Sequence, residues 1–254
     1  MRWKRRAVDS GGVRLVVRDS GGEGKPAVLV HGLGLGQRSW DRVAPRLSTE
    51  GLRVVTYDQR GHGASGASGD YSLSAFDEDL TAVLDELGLE KPVLVGHSLG
   101  ASIALEHAAS HESCAGVVCV DGGLPVALPS ADWESMEAEM RRPLPRLAMW
   151  AMKVARLGMK LSFDELRRVV EEDEAKATDL DGAYYRITCP ILMVMGAHAD
   201  PVPQGDEIRE AVREGVRSIR KTHPRVKVEW LSCGHNVPLE RPAELADLIV
   251  KSAR

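Results

Sequence analysis

No apolar run in this 254-residue chain approaches the roughly 20 residues that a bilayer-spanning helix requires, so the sequence offers no transmembrane segment. Cysteine is scarce. The four present, Cys114, Cys119, Cys189 and Cys233, form no CxxC pair and share no zinc-like spacing with histidine. They predict neither a disulfide framework nor a metal site. Cys119 and Cys189 sit in or beside apolar runs, which points to buried free thiols. Positive charge is not in surplus: 33 basic against 37 acidic side chains leave a net charge of −4, whereas a nucleic-acid-binding face needs a basic excess. The amino-terminal Met1-Arg-Trp-Lys-Arg-Arg6 opens like a secretory leader, but Ala7-Val8 runs straight into Asp9-Ser10-Gly11-Gly12 with no apolar stretch between. It reads as a solvated basic tail on a cytoplasmic protein. Internal repeats and low-complexity tracts are absent as well.

What is present is ordinary globular composition, 43% apolar and 28% charged. A chain of this length buries roughly three quarters of its unfolded surface and needs no covalent staple. Short apolar runs recur: Ala27 to Val30, Val54 to Tyr57, Val93 to Val95, Val117 to Val120, Ile191 to Met195 and Val226 to Leu231. Several lack alternation, as strands do when helices cover both faces of a parallel sheet. Between them, Leu73, Phe76, Leu80, Val83, Leu84 and Leu87 form a helical stripe that stops at Gly88. The stretches 103–109, 208–219 and 243–250 repeat that spacing. Alternating strands and helices predict an α/β fold with right-handed crossovers. Val13 to Arg18 reads as an antiparallel edge strand. Residues 124–186 break the rhythm: they hold Pro125, Pro129, Pro143 and Pro145, then helical patterns over Leu147 to Leu161 and Asp164 to Thr178. This predicts a core of 1–123 and 187–254 with a helical lid, 124–186, inserted between two strands.

The chemistry concentrates at Gly96-His97-Ser98-Leu99-Gly100, which follows the strand Pro92 to Val95 and precedes a helix. A strand that turns into a helix within about two residues crowds its backbone, and glycines flanking the serine remove the colliding Cβ atoms. The serine hydroxyl is then raised above the sheet at a helix N-terminus, which favours developing negative charge. A plain turn with a capping serine is the alternative. After the strand ending at Val30, His31-Gly32-Leu33-Gly34 can aim the Leu33 amide at the space above Ser98. Leu99, the residue after the serine, supplies the second amide of an oxyanion hole, unless the loop is a simple turn. His31 itself reads as structural.

Of the eight histidines, His235 in Cys233-Gly234-His235-Asn236 follows the last strand and therefore sits over the same sheet edge as Ser98. An acid must orient its ring. Asp200, after the strand ending near Gly196, fits the order Ser…Asp…His; Asp121, ending the preceding strand, is the reserve.

Together, His31-Gly-Leu-Gly, Asp58-Gln-Arg-Gly-His-Gly-Ala-Ser65, Gly96-His-Ser-Leu-Gly100, Asp200-Pro-Val-Pro and Gly234-His235 resemble the α/β-hydrolase superfamily in order and spacing, over residues 13–123 and 187–252. The resemblance implies the α/β-hydrolase fold: a mostly parallel twisted sheet, helices on both faces, and a lid after the sixth strand. It implies a serine hydrolase that cleaves an ester-like bond in a small, largely apolar substrate, without metal or organic cofactor; charge and the lack of long apolar runs add no nucleic-acid partner and no membrane. In the family the turn matching Asp58 to Ser65 is structural, so Asp58 and Arg60 receive no chemistry. Two departures stand out. Asp200 lies four residues after Gly196, where the family usually has three, which keeps Asp121 in play; and Ala101 stands where many members carry glycine. C–C hydrolysis and cofactor-free perhydrolysis of the haloperoxidase type stay open, as does a ligand receptor with a retained triad. A serine in place of a carboxylate disfavours dehalogenase and epoxide-hydrolase chemistry. The Leu147 to Leu161 pattern is apolar around much of its circumference. It predicts that Met149, Trp150 and Met152 line a pocket above Ser98.

Overall fold

The computed structural model describes residues 1–111, 114–126, 133–144, 155, 158–177, 180–202 and 204–254. Its eight-stranded sheet runs in the order β1-β2-β4-β3-β5-β6-β7-β8. The strands are β1 (Lys4–Ser10), β2 (Val13–Asp19), β3 (Pro26–Val30), β4 (Arg53–Asp58), β5 (Val93–His97), β6 (Gly116–Val120), β7 (Ile191–Gly196) and β8 (Lys227–Leu231). β1 pairs antiparallel with β2, and β2 with β4; all pairings from β4 through β3 to β8 are parallel.

The unalternating apolar runs are explained by two cores. Val93 and Val95 face one cluster with Trp40, Leu47, Leu245 and Ile249, beneath α1 (Ala44–Thr49) and the carboxy-terminal helix 242–253. Leu94, between them, faces the other cluster with Phe76, Leu80, Ile103 and Ile219, beneath α2 (Leu73–Glu86), α3 (Leu99–Ser110) and the helix 205–222. Val93, Leu94 and Val95 are all fully buried, so period-2 alternation has no water-facing side to mark.

The amino terminus departs from the expectation. The basic stretch is no solvated tail: Lys4 to Ser10 zips onto Asp19 to Val13 through Gly11 and Gly12, both with positive φ (58° and 85°), which makes β1 and not β2 the edge strand. Its four leading residues are exposed and only Val8 and Ser10 turn inward, so the charge of an edge strand hides its pairing. Trp3 packs under the Arg18 guanidinium at 4.6 Å.

Between β6 and β7 lie α4 (Trp133–Met140), α5 (Phe163–Ala177) and α6 (Leu180–Arg186). α5 matches the expected helix over Asp164 to Thr178. The other expected helix, Leu147 to Leu161, lies mostly outside the described residues, and its described end is not helical. There Met159 bridges His62, the Gly63 amide donates to Gly158 O at 3.0 Å and the Lys160 amide to Gly61 O at 2.6 Å. The backbone groups of that chain are satisfied by the 58–65 turn instead of by a helix. After β7 come α7 (Gly205–Thr222), the short α8 (Val237–Glu240) and α9 (Pro242–Ala253). Among the described residues no helix is long and apolar enough to cross a membrane.

Candidate active site

Ser98 sits between β5 and α3 with φ 52° and ψ −123°, a conformation that costs a non-glycine residue on the order of 1–3 kcal/mol. The surroundings enforce it. A Cβ on Gly96 would stand 2.0 Å from Gly100 O, one on Gly100 2.4 Å from Val30 O, and one on Gly122 2.5 Å from Ser98 O, so three strands close on the turn only because these side chains are missing. The Ser98 amide donates to Val120 O at 3.0 Å, tying the turn to the end of β6. Leu99 is the first residue of α3, where backbone amides have no intrahelical partner.

The loop 31–34 lies against this turn: a Cβ on Gly32 would come within 3.1 Å of Ser98 Cβ. Two buried imidazoles hold it. His31 Nε2 accepts the Gln59 amide at 3.1 Å, which leaves Nδ1 protonated to donate to Gly32 O at 2.8 Å. His62 Nε2 accepts the Gly34 amide at 3.2 Å, and its Nδ1 donates to Arg60 O at 2.9 Å. Burial keeps both rings neutral, pushing His31 down to about 4 and His62, with His31 adding to the effect, down to about 3. Asp58 accepts from the Gln37 and Ala64 amides, and Arg60 forms a buried pair with Asp79 at 2.7 Å. The Asp58 to Ser65 turn is thus a scaffold for the loop that carries Leu33.

His235 stands in the loop after β8, and the acid on its ring is not the one the sequence favours. Asp121 Oδ2 lies 2.7 Å from His235 Nδ1, while Asp200 receives the His235 backbone amide on both carboxylate oxygens, each at 3.1 Å. Asp200 is therefore corrected from ring partner to loop anchor, and Asp121 takes its place. Two features account for the exchange. In the β5–β6 register Val120 stands opposite His97, so the residue after β6 emerges one strand from Ser98. The extra residue between Gly196 and Asp200 brings that carboxylate onto backbone: a Cβ on Gly234 would meet Asp200 Oδ1 at 2.4 Å. Asp121 itself adopts φ 42° and accepts the Gly196 amide at 2.8 Å.

Two further residues enter that sequence reasoning missed. Arg209 of α7, almost wholly buried, donates to both Asp121 oxygens, at 2.9 and 3.1 Å. An arginine inside an amphipathic helix carries no sequence signal that would separate it from the exposed arginines around it. His97 braces the base: its Nε2 donates to His235 O at 2.9 Å and the rings lie 4.9 Å apart. Burial, then the neighbouring His235, pushes His97 down to about 4. Burial would push Asp121 up, but hydrogen bonds from His235 and Arg209 outweigh it and hold the carboxyl below the usual range.

Ser98, Asp121 and His235 open on one cavity of about 600 Å³, walled by Leu124, Val126 and Val212 and, from the inserted helices, Ala177 and Leu180. Asp173 of α5 also lines it; burial pushes its carboxyl up to about 6, with the Ser102 hydroxyl acting the other way. The expected lining residues Met149, Trp150 and Met152 lie outside the described residues. All four cysteines are free, and burial pushes Cys119 up to about 12. Among the described residues one group has metal-ligand side chains close together, Asp77, His107 and His111, with donor atoms within 4.8 Å. It borders a different cavity, and Asp77 already bonds His107 Nδ1 at 2.7 Å.

The profile of the Alpha/beta hydrolase family matches residues 27–248. Epoxide hydrolase A of Mycobacterium tuberculosis is 40% identical over 102 residues, 39% of this chain and 32% of its own length. A non-heme haloperoxidase of Rhodococcus erythropolis is 35% identical over 103 residues, 40% of this chain and 37% of its own. The matched stretches thus span about a third of each relative. The solved esterase EaEST of Exiguobacterium antarcticum superposes with a TM-score of 0.76 at 20% identity, covering 97% of this chain and 98% of that one, a likeness of fold. With the matched profile running from β3 into α9, the chain belongs to the alpha/beta hydrolase family.

Proposed function

We propose that the protein is a serine hydrolase that cleaves an ester-like bond, a carboxylic ester, lactone or thioester, in a small and largely apolar substrate. The observation that carries this reading is the 2.7 Å contact between Asp121 and His235 Nδ1, beside a strained Ser98 in one apolar cavity. Asp121 holds the Nδ1 proton, so Nε2 of His235 is the free base. It takes the Ser98 proton as Oγ attacks the carbonyl carbon, and the imidazolium formed is stabilised by Asp121. The amides of Leu33 and Leu99 receive the oxyanion. His235 then returns the proton to the leaving oxygen or sulfur, and a water molecule, deprotonated by the same ring, releases the acid from the acyl-enzyme. The helices between β6 and β7 act as the lid whose inner wall selects the acyl group. The free cysteines fit a reducing compartment such as the cytoplasm.

The test is labelling with a fluorophosphonate and the burst of p-nitrophenol from short-chain p-nitrophenyl esters. Ser98→Ala should fold normally and lose both, with turnover down by about 10³-fold or more because triad members act as a unit. Substantial turnover by the folded variant would sink the reading.

Perhydrolysis is the second reading, supported by the similarity to the Rhodococcus haloperoxidase. It uses the same acyl-enzyme with hydrogen peroxide in place of water, so a peracid assay in acetate and peroxide separates the two. The similarity to an epoxide hydrolase does not extend to its chemistry in this proposal: alkyl-enzyme formation needs a carboxylate nucleophile, and the turn holds Ser98.

A further inference from the structure

Arg209 is 3% exposed, and the interior offers such a cation little besides the acid of the proposed triad. Its Nη1 donates to Asp121 Oδ1 at 2.9 Å and to Gly196 O at 2.9 Å; its Nη2 donates to Asp121 Oδ2 at 3.1 Å and stands 3.7 Å from Asp200. Its Nε has no partner among the described residues. A guanidinium buried with one donor unsatisfied is costly for the fold unless it is well compensated. The other three arginines of α7, Arg213, Arg217 and Arg220, are exposed, and the first two pair with Glu210. For merely satisfying Asp121 the fork is not needed, since the Gly196 amide and His235 already supply donors.

Two properties of the fork bear on the reaction. A planar two-point grip fixes the carboxylate rotation and so fixes where Oδ2 points, which a point charge does not do. A permanent positive charge against Asp121 also neutralises most of the field that the acid projects onto the imidazole, and in a buried site that field is strong. Without the cation, the unshielded charge of Asp121 would favour the imidazolium more strongly, the form that cannot act as a base.

The neighbours do not supply a substitute. Around the ring, β5 presents His97, held neutral by burial; the loop after β7 presents Asp200; the 233–240 segment presents Cys233, whose thiol burial pushes up to about 11, and Glu240, which accepts the Gly234 amide. From the inserted helix α5, Asp173 and Glu174 line the cavity. Lys176 acts on Asp173, and Arg241 of the segment after α8 spends its guanidinium on Ser232 O. Against these acids, Arg209 is the cation in direct contact with the acid–base pair among the described residues.

We propose that Arg209 is a positioning residue of the reaction: its fork aims Asp121 at His235, and its charge keeps His235 available as a base to lower pH than Asp121 alone would allow. The inference rests on the serine-hydrolase reading above.

The experiment is the pH profile of kcat and KM for p-nitrophenyl butyrate with the wild-type protein, Arg209→Gln and Arg209→Lys, with far-UV circular dichroism to confirm folding. Arg209→Gln removes the charge, and the acid limb of kcat/KM should move up by about one pH unit, a roughly tenfold loss on that limb. Arg209→Lys keeps the charge but not the fork: the acid limb should stay, while kcat falls about tenfold with KM within about twofold. An acid limb that does not move in folded Arg209→Gln, or wild-type kcat in Arg209→Lys, overturns the proposal. If Arg209→Gln fails to fold, Arg209→Lys still decides through the kcat loss at fixed KM. Absence of Ser98-dependent turnover in the wild type is a separate result, which removes the hydrolase reading itself.

Discussion

Asp121 grips His235 by the ring while Asp200 grips it by the backbone, at 2.7 Å and 3.1 Å respectively, so two acids from the ends of neighbouring strands divide the holding of one histidine. The division makes opposite demands on substitution. Asp121→Asn puts an amide on Nδ1 and favours the wrong tautomer; kcat should fall by up to about 10⁴-fold. Asp200→Asn keeps an oxygen that can still accept the His235 amide, and leaves the ring partner in place. Its loss should be about tenfold or less, with the thermal midpoint lowered by a few degrees as one loop anchor weakens. Equal losses in the two variants, or the reverse ranking, would return the orienting role to Asp200.

Most of the architecture is legible in the sequence because its signals are local. The glycines beside Ser98 are demanded by atoms four or five residues away or on the neighbouring strand, and the runs at Val93 and Val117 lack alternation because both faces of the sheet are covered. The choice between Asp121 and Asp200 is not local. It depends on where an inserted residue steers one carboxylate in the loop after β7 and on a guanidinium that arrives from α7. The four-residue spacing from Gly196 is the one trace of this in the chain. The β1 strand is hidden for a different reason: an edge strand with four exposed leading residues, most of them charged, has the composition of a tail, and only its pairing partner distinguishes the two.

The buried imidazoles set a dependence of stability on pH. His31 and His97 are pushed down to about 4 and His62 to about 3, from an ordinary value of 6.5, chiefly by burial. The unfolded chain therefore takes up protons below about pH 6.5 that the folded chain refuses until about pH 4. Stability is fully present above pH 6.5 and is lost as the pH falls through that window, by roughly 1 kcal/mol per pH unit for each ring. Asp121 and Asp19, held below the usual carboxylate range, extend the loss at still lower pH. Urea midpoints at pH 7, 6 and 5 should fall steadily, and a His62→Gln variant, though less stable at pH 7, should show a shallower slope. A flat midpoint across that range would mean that these rings are not held neutral.

The cavity makes a prediction about substrate length. Ala177, on the inner side of α5, is 7% exposed and lines the space above Ser98 together with Leu124, Val126 and Val212. Enlarging a side chain that faces a cavity of about 600 Å³ fills empty volume instead of overpacking a core, so Ala177→Leu should keep its stability within about 1 kcal/mol. Each methylene of an acyl chain that no longer fits forfeits about 0.8 kcal/mol of burial. Over two or three methylenes this amounts to roughly tenfold or more in kcat/KM. Measured across p-nitrophenyl acetate, butyrate, hexanoate and octanoate, the variant should match the wild type on acetate and lose about tenfold or more on the longest esters. A uniform loss across the series would mean that the substitution disturbs Ser98 itself. An unchanged profile would place the acyl chain elsewhere, away from the wall formed by α5, and would remove the inserted helices from the choice of substrate.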